Sequence, residues 1–149
     1  MGVPYLSKHA YVLLTKEKWW NRRVAQSRAG KKVQAFVRKS AVGPIKTSLL
    51  LFYVDRPLRG IKGVGDFEER VVDDVEKQWR SYSEETVFES HDEYLCFMQG
   101  RPKATFIRFS NLRELNTPIP LKKLLQIIGG SRLSRNGKYL SKEILNKLL

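Results

Sequence analysis

The sequence predicts a mixed α+β fold built on a small β pseudo-barrel, with helices inserted between the strands. Three observations carry that expectation. The apolar runs are of strand length and show no regular strand–helix alternation, which argues against a doubly wound parallel sheet. Residues 48–54, SLLLFYV, are an unbroken apolar run closed by Asp55-Arg56-Pro57, the pattern of a buried strand and its turn. Residues 61–72 then alternate apolar and polar around Gly60, Gly63 and Gly65, as a strand does where it bends hard or where another group comes close. The two strands make the central hairpin of the sheet.

The remaining elements follow in order. Residues 10–15, AYVLLT, form a first strand, and Trp19-Trp20 follow directly after a charged Lys-Glu-Lys. Adjacent side chains diverge by about a hundred degrees on a helix and more on a strand, so the two indoles cannot share one core and one of them is expected at the surface. Residues 21–32, NRRVAQSRAGKK, hold five basic residues and few large aliphatic ones, so an exposed helix or loop is expected there rather than a core element. Residues 33–38, VQAFVR, alternate as a strand and lead through Arg38-Lys39 to a Gly43-Pro44 turn.

Beyond the hairpin, Asp73-Asp74 opens a helix that spaces Val75, Trp79 and Tyr82 along one face, with a Glu76/Arg80 pair outside. Trp79 is expected in the core. Ser90 with Glu93 is a capping box for a second helix, which stops at Gly100 ahead of Pro102. His91 and Cys96 fall in that helix, and Cys96 reads as a packing residue. Residues 104–109, ATFIRF, make another strand. Pro118 and Pro120 introduce a helix with Leu121, Leu124, Leu125 and Ile128 on its apolar face, ended by Gly129-Gly130. A basic loop with an Asn-Gly turn, residues 131–141, precedes a last short helix.

At 149 residues and 42% apolar, the chain is expected to form a single domain over 1–149. No apolar run reaches membrane-span length, and the start of the chain lacks the build of a secretory leader, so a cytoplasmic protein is expected. One cysteine excludes an internal disulfide. That cysteine and two scattered histidines have no metal-ligand spacing, so neither a metal nor a cofactor is expected.

The charge is informative because it is unevenly placed. The net charge is +13, yet residues 1–62 hold fourteen Lys/Arg against two Asp/Glu, residues 63–100 three against eleven, and residues 101–149 eleven against two. Two basic ends around an acidic middle predict a cationic face and an anionic back, and a polyanion is the natural partner of such a face. Arg22, Arg23, Arg28, Lys31 and Lys32 lie beside the tryptophan pair, and this interleaving of cations and π-faces suits a nucleic acid with unpaired bases. Trp19, Trp20, Arg38 and Lys39, together with Arg132, Arg135, Lys138 and Tyr139 of the basic loop, complete the expected binding set.

The run from LLLFYV through IKGVGDFEERV, then DEYLCFMQGRPKATFIRF and the Pro-Ile-Pro-Leu-led helix, resembles the PUA-like superfamily over nearly the whole chain, its ASCH and EVE branches in particular. That resemblance implies a pseudo-barrel whose cleft accepts RNA, or a single base that is sometimes modified; with no span-length apolar run, no membrane is expected as a partner. The resemblance also implies a cleft beside the segment after the first strand, with the loop SRLSRNGKYLS as its opposite wall. RNA is the expected partner, DNA the alternative, and the oligomeric state is left open.

An enzyme reading stands beside the binding one. Some small ASCH proteins are metal-independent hydrolases of RNA or modified nucleosides, and Lys62, Glu68 and Glu69 would be the candidate catalytic set, since a lysine beside carboxylates can be tuned for acid/base work. Cross-strand Lys/Glu neighbours are also ordinary sheet pairs, and no Ser-His-Asp, HExxH, P-loop or GxSxG pattern is present. A protein-interaction module using the acidic middle is a third class.

Overall fold

The computed structural model describes residues 9–57 and 59–149. Residues 1–8, which include most of the stretch read as lacking a leader, lie outside them. Six strands form one sheet: β1 (Ala10–Thr15), β2 (Val33–Arg38), β3 (Leu49–Val54), β4 (Gly60–Asp74), β5 (Lys103–Pro120) and β6 (Lys138–Leu140), in the order β2-β5-β4-β3-β1-β6. Only β1 and β3 pair in parallel, and between them the chain makes a crossover through helix α1 (Glu17–Arg28) and β2. Helix α2 (Val75–Tyr82), a 3-10 turn at Ser83–Glu85 and helix α3 (His91–Met98) fill the connection from β4 to β5. Helices α4 (Leu121–Ile128) and α5 (Lys142–Leu148) flank β6.

The fold is α+β as expected, but the sheet is not hydrogen-bonded into a closed barrel. β2 and β6 remain as edges. The curl comes from β4 and β5, whose pairing shifts register between Ile61 and Gly63, Val64 and Asp66, and Phe67 and Glu69. Each shift adds local twist and bends the pair. Gly65 lets the strands close on their aromatics, since a Cβ there would lie 3.0 Å from Phe109 Cδ2 and 3.3 Å from Phe52 Cε2.

Because β1 and β3 are central, both their faces are covered, which is why each reads as continuous apolar sequence. Tyr11, Leu13, Leu50 and Phe52 face inward with Trp20 and Val24 of α1 and Phe109 of β5. Val12, Leu51 and Tyr53 face the other way, onto Leu124, Leu145 and Leu148 of the two C-terminal helices. A third cluster joins Ala35, Val37 and Phe106 to Val75, Phe88, Tyr94 and Met98, seating α2 and α3 on the β2–β5 end of the sheet.

Helix ends follow their sequence signals. Asp74 Oδ1 accepts from the amides of Glu76 and Lys77 at 3.0 Å each. Ser90 Oγ accepts from Glu93 N at 3.1 Å, while the Glu93 carboxylate accepts from Glu89 N at 2.8 Å. Three local expectations are corrected. Glu76 pairs with His91 at 2.8 Å rather than with Arg80. Cys96 is exposed on α3 and is not a packing residue. The basic stretch after the tryptophans is a helix that does reach the core, with Trp20, Arg23 and Val24 buried, because one face of a twelve-residue helix must cover the sheet.

A basic cleft at the open seam of the sheet

The two sheet edges approach each other without pairing, and Arg38 at the end of β2 spans the gap. Its Nη1 donates to Asn136 O and its Nη2 to Arg135 O, both at 3.1 Å, in the loop ahead of β6. On β6, Tyr139 Oη accepts from Ile45 N at 3.0 Å and its ring meets Tyr11 edge-on at 4.8 Å. Beside this seam lies a cleft of about 920 Å³, walled by the start of α1, the end of β2, α3 and the loop ahead of β6.

Seven cations line that cleft: Lys16, Lys18, Arg23, Arg38, Lys39, Arg101 and Arg135. Among the described residues, no aspartate or glutamate does. The acidic middle of the chain is spent elsewhere, on basic side chains outside the wall. Arg22 holds Glu93 at 2.6 Å and Glu89 at 3.0 Å, Arg108 holds Glu85 at 2.7 Å and also Glu69, and Arg113 holds Asp66 at 3.0 Å. Of the lining cations, Lys18 alone is in an ion pair among the described residues, at 3.9 Å from Glu93.

Aromatic rings interleave with these charges. Trp19 is half-buried, edge-on to Phe88 at 5.2 Å and to Phe97 at 6.1 Å. Two cations already lie over its indole, Lys18 at 4.7 Å and Arg22 at 5.2 Å. Arg22 is held there by its ion pairs, whereas the Lys18 side chain is 60% exposed. Lys39 reaches 5.3 Å from the Phe97 ring and donates to Gln99 Oε1 at 2.9 Å.

Arg23 is the exceptional member of the wall. It is 3% exposed, its Nη1 donates to Ala35 O at 3.2 Å, and its guanidinium lies 4.9 Å from the centre of the Phe36 ring. Its Nε is buried without a partner, as is Oε1 of Gln34, whose Nε2 donates to Arg23 O at 3.1 Å. Burial alone pushes the Arg23 pKa down to about 9, which still leaves the group charged at neutral pH.

Of the residues singled out in the sequence, the cleft brings together Trp19, Arg23, Arg38, Lys39 and Arg135. Trp20 is core, 3% exposed. Arg22 is tied to Glu89, Glu93 and Val87 O, and Arg28 grips Glu114 through Nε and Nη2 at 2.8–3.2 Å. Lys31 donates to Gln26 Oε1 at 3.3 Å and to Glu84 O. Lys32, Arg132 and Lys138 are exposed away from the cleft wall, and Tyr139 sits behind it on the seam.

The three candidate catalytic residues do not share one hollow. Lys62 lines a smaller one with Trp20, Arg28 and Glu114; Glu68 accepts from Ser110 Oγ at 2.5 Å; Glu69 pairs with Arg108. Lys16, Lys18, Phe36, Phe97 and Arg101 are wall residues that the sequence reading did not select. No group of three or more His, Cys, Asp or Glu among the described residues is placed to hold a metal ion.

The open, curled six-stranded sheet with a helix after its first strand matches the fold of solved ASCH structures, as the PUA-like resemblance led one to expect. The chain is similar to the crystal structure of ASCH from Zymomonas mobilis, with a TM-score of 0.77 and 25% identity over 93% of this chain and 92% of that one. A tyrosine-to-phenylalanine variant of the same protein matches with a TM-score of 0.77 and 24% identity over 95% and 96% of the two chains. A Pseudomonas putida protein, at 14% identity over 94% of this chain and 99% of that one, shares the fold with a TM-score of 0.52. No protein-family model matches the sequence, and no curated protein does. Among the described residues, no helix is long and apolar enough to cross a membrane.

Proposed function

We propose that this chain is an RNA-binding module that takes single-stranded or unpaired nucleotides into the seam cleft. The observation that carries this reading is the composition of the wall: seven cations, no carboxylate, and the rings of Trp19, Phe36, Phe88 and Phe97 between them. Cations there neutralise phosphates and release their counterions, while aromatic faces take bases that are free of a duplex. The PUA-like resemblance of the fold supports RNA over DNA in this reading, and a concave wall with rings inside it favours loops and ends over paired helices.

The experiment compares two triple variants of equal charge change by fluorescence anisotropy. One replaces Lys39, Arg101 and Arg135 of the wall by glutamine, and the other replaces Lys32, Arg132 and Lys138, which are exposed outside it. Single-stranded RNA, a paired RNA of equal length and single-stranded DNA are titrated against each. The wall variant is expected to lose most of its affinity for the single strand, on the order of a hundredfold for three lost phosphate contacts, and the outer variant only a few fold. Equal losses in the two would mean that net charge, and not the cleft, holds the strand.

A further inference from the structure

Arg23 is built unlike the other substantially buried arginines of this chain. Arg22 and Arg108 are each given two carboxylates, whereas Arg23, more deeply buried than either, is given none. What it has is one carbonyl, a ring beside it, and an Nε that donates to nothing. An uncompensated buried cation destabilises a fold unless an anion arrives to pair with it. Arg23 is among the residues that line the cleft, so the cleft is the side from which an anion can approach it.

Burial also decides what kind of anion fits. An internal phosphodiester carries a sugar on both sides and has to be laid along a surface, so it reaches exposed side chains such as Lys39 or Arg135. A phosphate monoester protrudes from the end of a strand, presents three free oxygens and carries more charge, which suits a planar fork recessed in a wall. Arg23 also lies one helical turn from Trp19 on α1, and residues at that spacing share a face about 5–6 Å apart at their Cβ atoms. A phosphate on Arg23 thus leaves the attached nucleoside beside the Trp19 ring.

We propose that Arg23 is the phosphate-binding residue of a subsite for a strand's terminal phosphate, so that the cleft recognises phosphorylated RNA ends in preference to the interior of a strand. This rests on the RNA-binding reading above and makes it specific.

The test uses one short single-stranded RNA in three forms, with a 5′-phosphate, with a 3′-phosphate, and with hydroxyls at both ends. Each is titrated against the wild-type chain, Arg23→Gln and Arg23→Lys. A thermal-shift series with a nucleoside 5′-monophosphate and a nucleoside 3′-monophosphate runs alongside. One of the two phosphorylated forms is expected to bind the wild type about tenfold tighter than the hydroxyl form, the gain of a charge-assisted bidentate contact. In Arg23→Gln that preference falls to near one, because affinity for the phosphorylated form drops about tenfold further than affinity for the hydroxyl form. The matching mononucleotide raises the melting temperature of the wild type and not of Arg23→Gln. If Arg23→Gln does not fold, Arg23→Lys decides, since it keeps the charge and loses the fork, and a preference cut to a fraction supports the assignment.

Equal binding of all three forms by the wild type overturns end recognition and leaves the RNA reading standing. A mononucleotide shift that depends on Arg23, with no strand binding at all, supports the phosphate subsite and overturns the RNA reading. Absence of both overturns both.

Discussion

Trp20 and Gly63 are shaped to each other: a Cβ on residue 63 would overlap Cη2 of the indole, lie 3.1 Å from its Cζ2 and stand 2.9 Å from the Arg113 carbonyl oxygen. The glycine in the bent strand is therefore a seat for the helix that follows the first strand. It fixes where α1 sits, and with it the position of Trp19 and Arg23 at the cleft. Gly63→Ala is expected to destabilise the fold by about 1–3 kcal/mol, because a methyl must be forced into an occupied space between an indole and a strand. Denaturant unfolding checks this.

The two tryptophans separate cleanly. Trp20→Ala is expected to cost about 3–5 kcal/mol of stability through lost burial and the cavity it leaves beside Phe52. Trp19→Ala is expected to cost less stability but about 1–3 kcal/mol of single-strand binding, the usual worth of a stacked base. Trp79, stacked on Tyr94 with centroids 4.8 Å apart and outside the cleft wall, is the control, whose loss should affect stability alone. Paired thermal melts and RNA titrations of the three variants read both quantities. A Trp19→Ala protein that melts early and binds normally would move the stacking position away from residue 19.

Glu93 ties α3 to α1 and makes the wall sensitive to acid. The hydrogen bond from Arg22 is the main cause that holds its carboxyl below the ordinary glutamate range, with the Glu89 amide and the charges of Arg22 and Lys18 assisting. Because the folded pKa lies below the unfolded one, the stabilisation is fully present above the unfolded value of about 4.3 and is lost as pH falls through the lower folded value. Glu93→Gln is therefore expected to be less stable than wild type at neutral pH and to converge with it in acid. Unfolding curves taken at a series of pH values from neutral to strongly acid test the sign.

Much of the fold was legible in the sequence because its elements obey local rules. The strands at Ala10–Thr15 and Val33–Arg38 fall where the alternation and the apolar runs put them, and Asp74 and Ser90 cap the helices they precede. The strand expected to end at Phe109 instead runs to Pro120, since its second half is polar and is held by pairing with β4 rather than by burial. The open seam was not legible either. Arg38 reaches a carbonyl 98 positions away, which no local pattern encodes. Arg23 was grouped with exposed cations on composition alone. A helical period from Glu17 onward would have placed it on the buried face with Trp20 and Val24, three residues before and one after.

Binding through the wall has to be salt-dependent. If about six of the lining cations contact phosphates of a single strand, affinity should fall by more than a hundredfold between 50 and 200 mM salt. Anisotropy titrations across that range give the slope, and a flat dependence would remove the electrostatic basis of the account.

The most direct measurement uses Cys96, the one cysteine of the chain, which is exposed and lines the cleft. The rate at which a thiol reagent modifies it is followed as single-stranded RNA is added at low salt. If RNA occupies the seam cleft, labelling slows in step with the binding curve and recovers when salt releases the strand. Labelling that stays at the free rate while RNA is fully bound would place the strand on another surface and contradict the account.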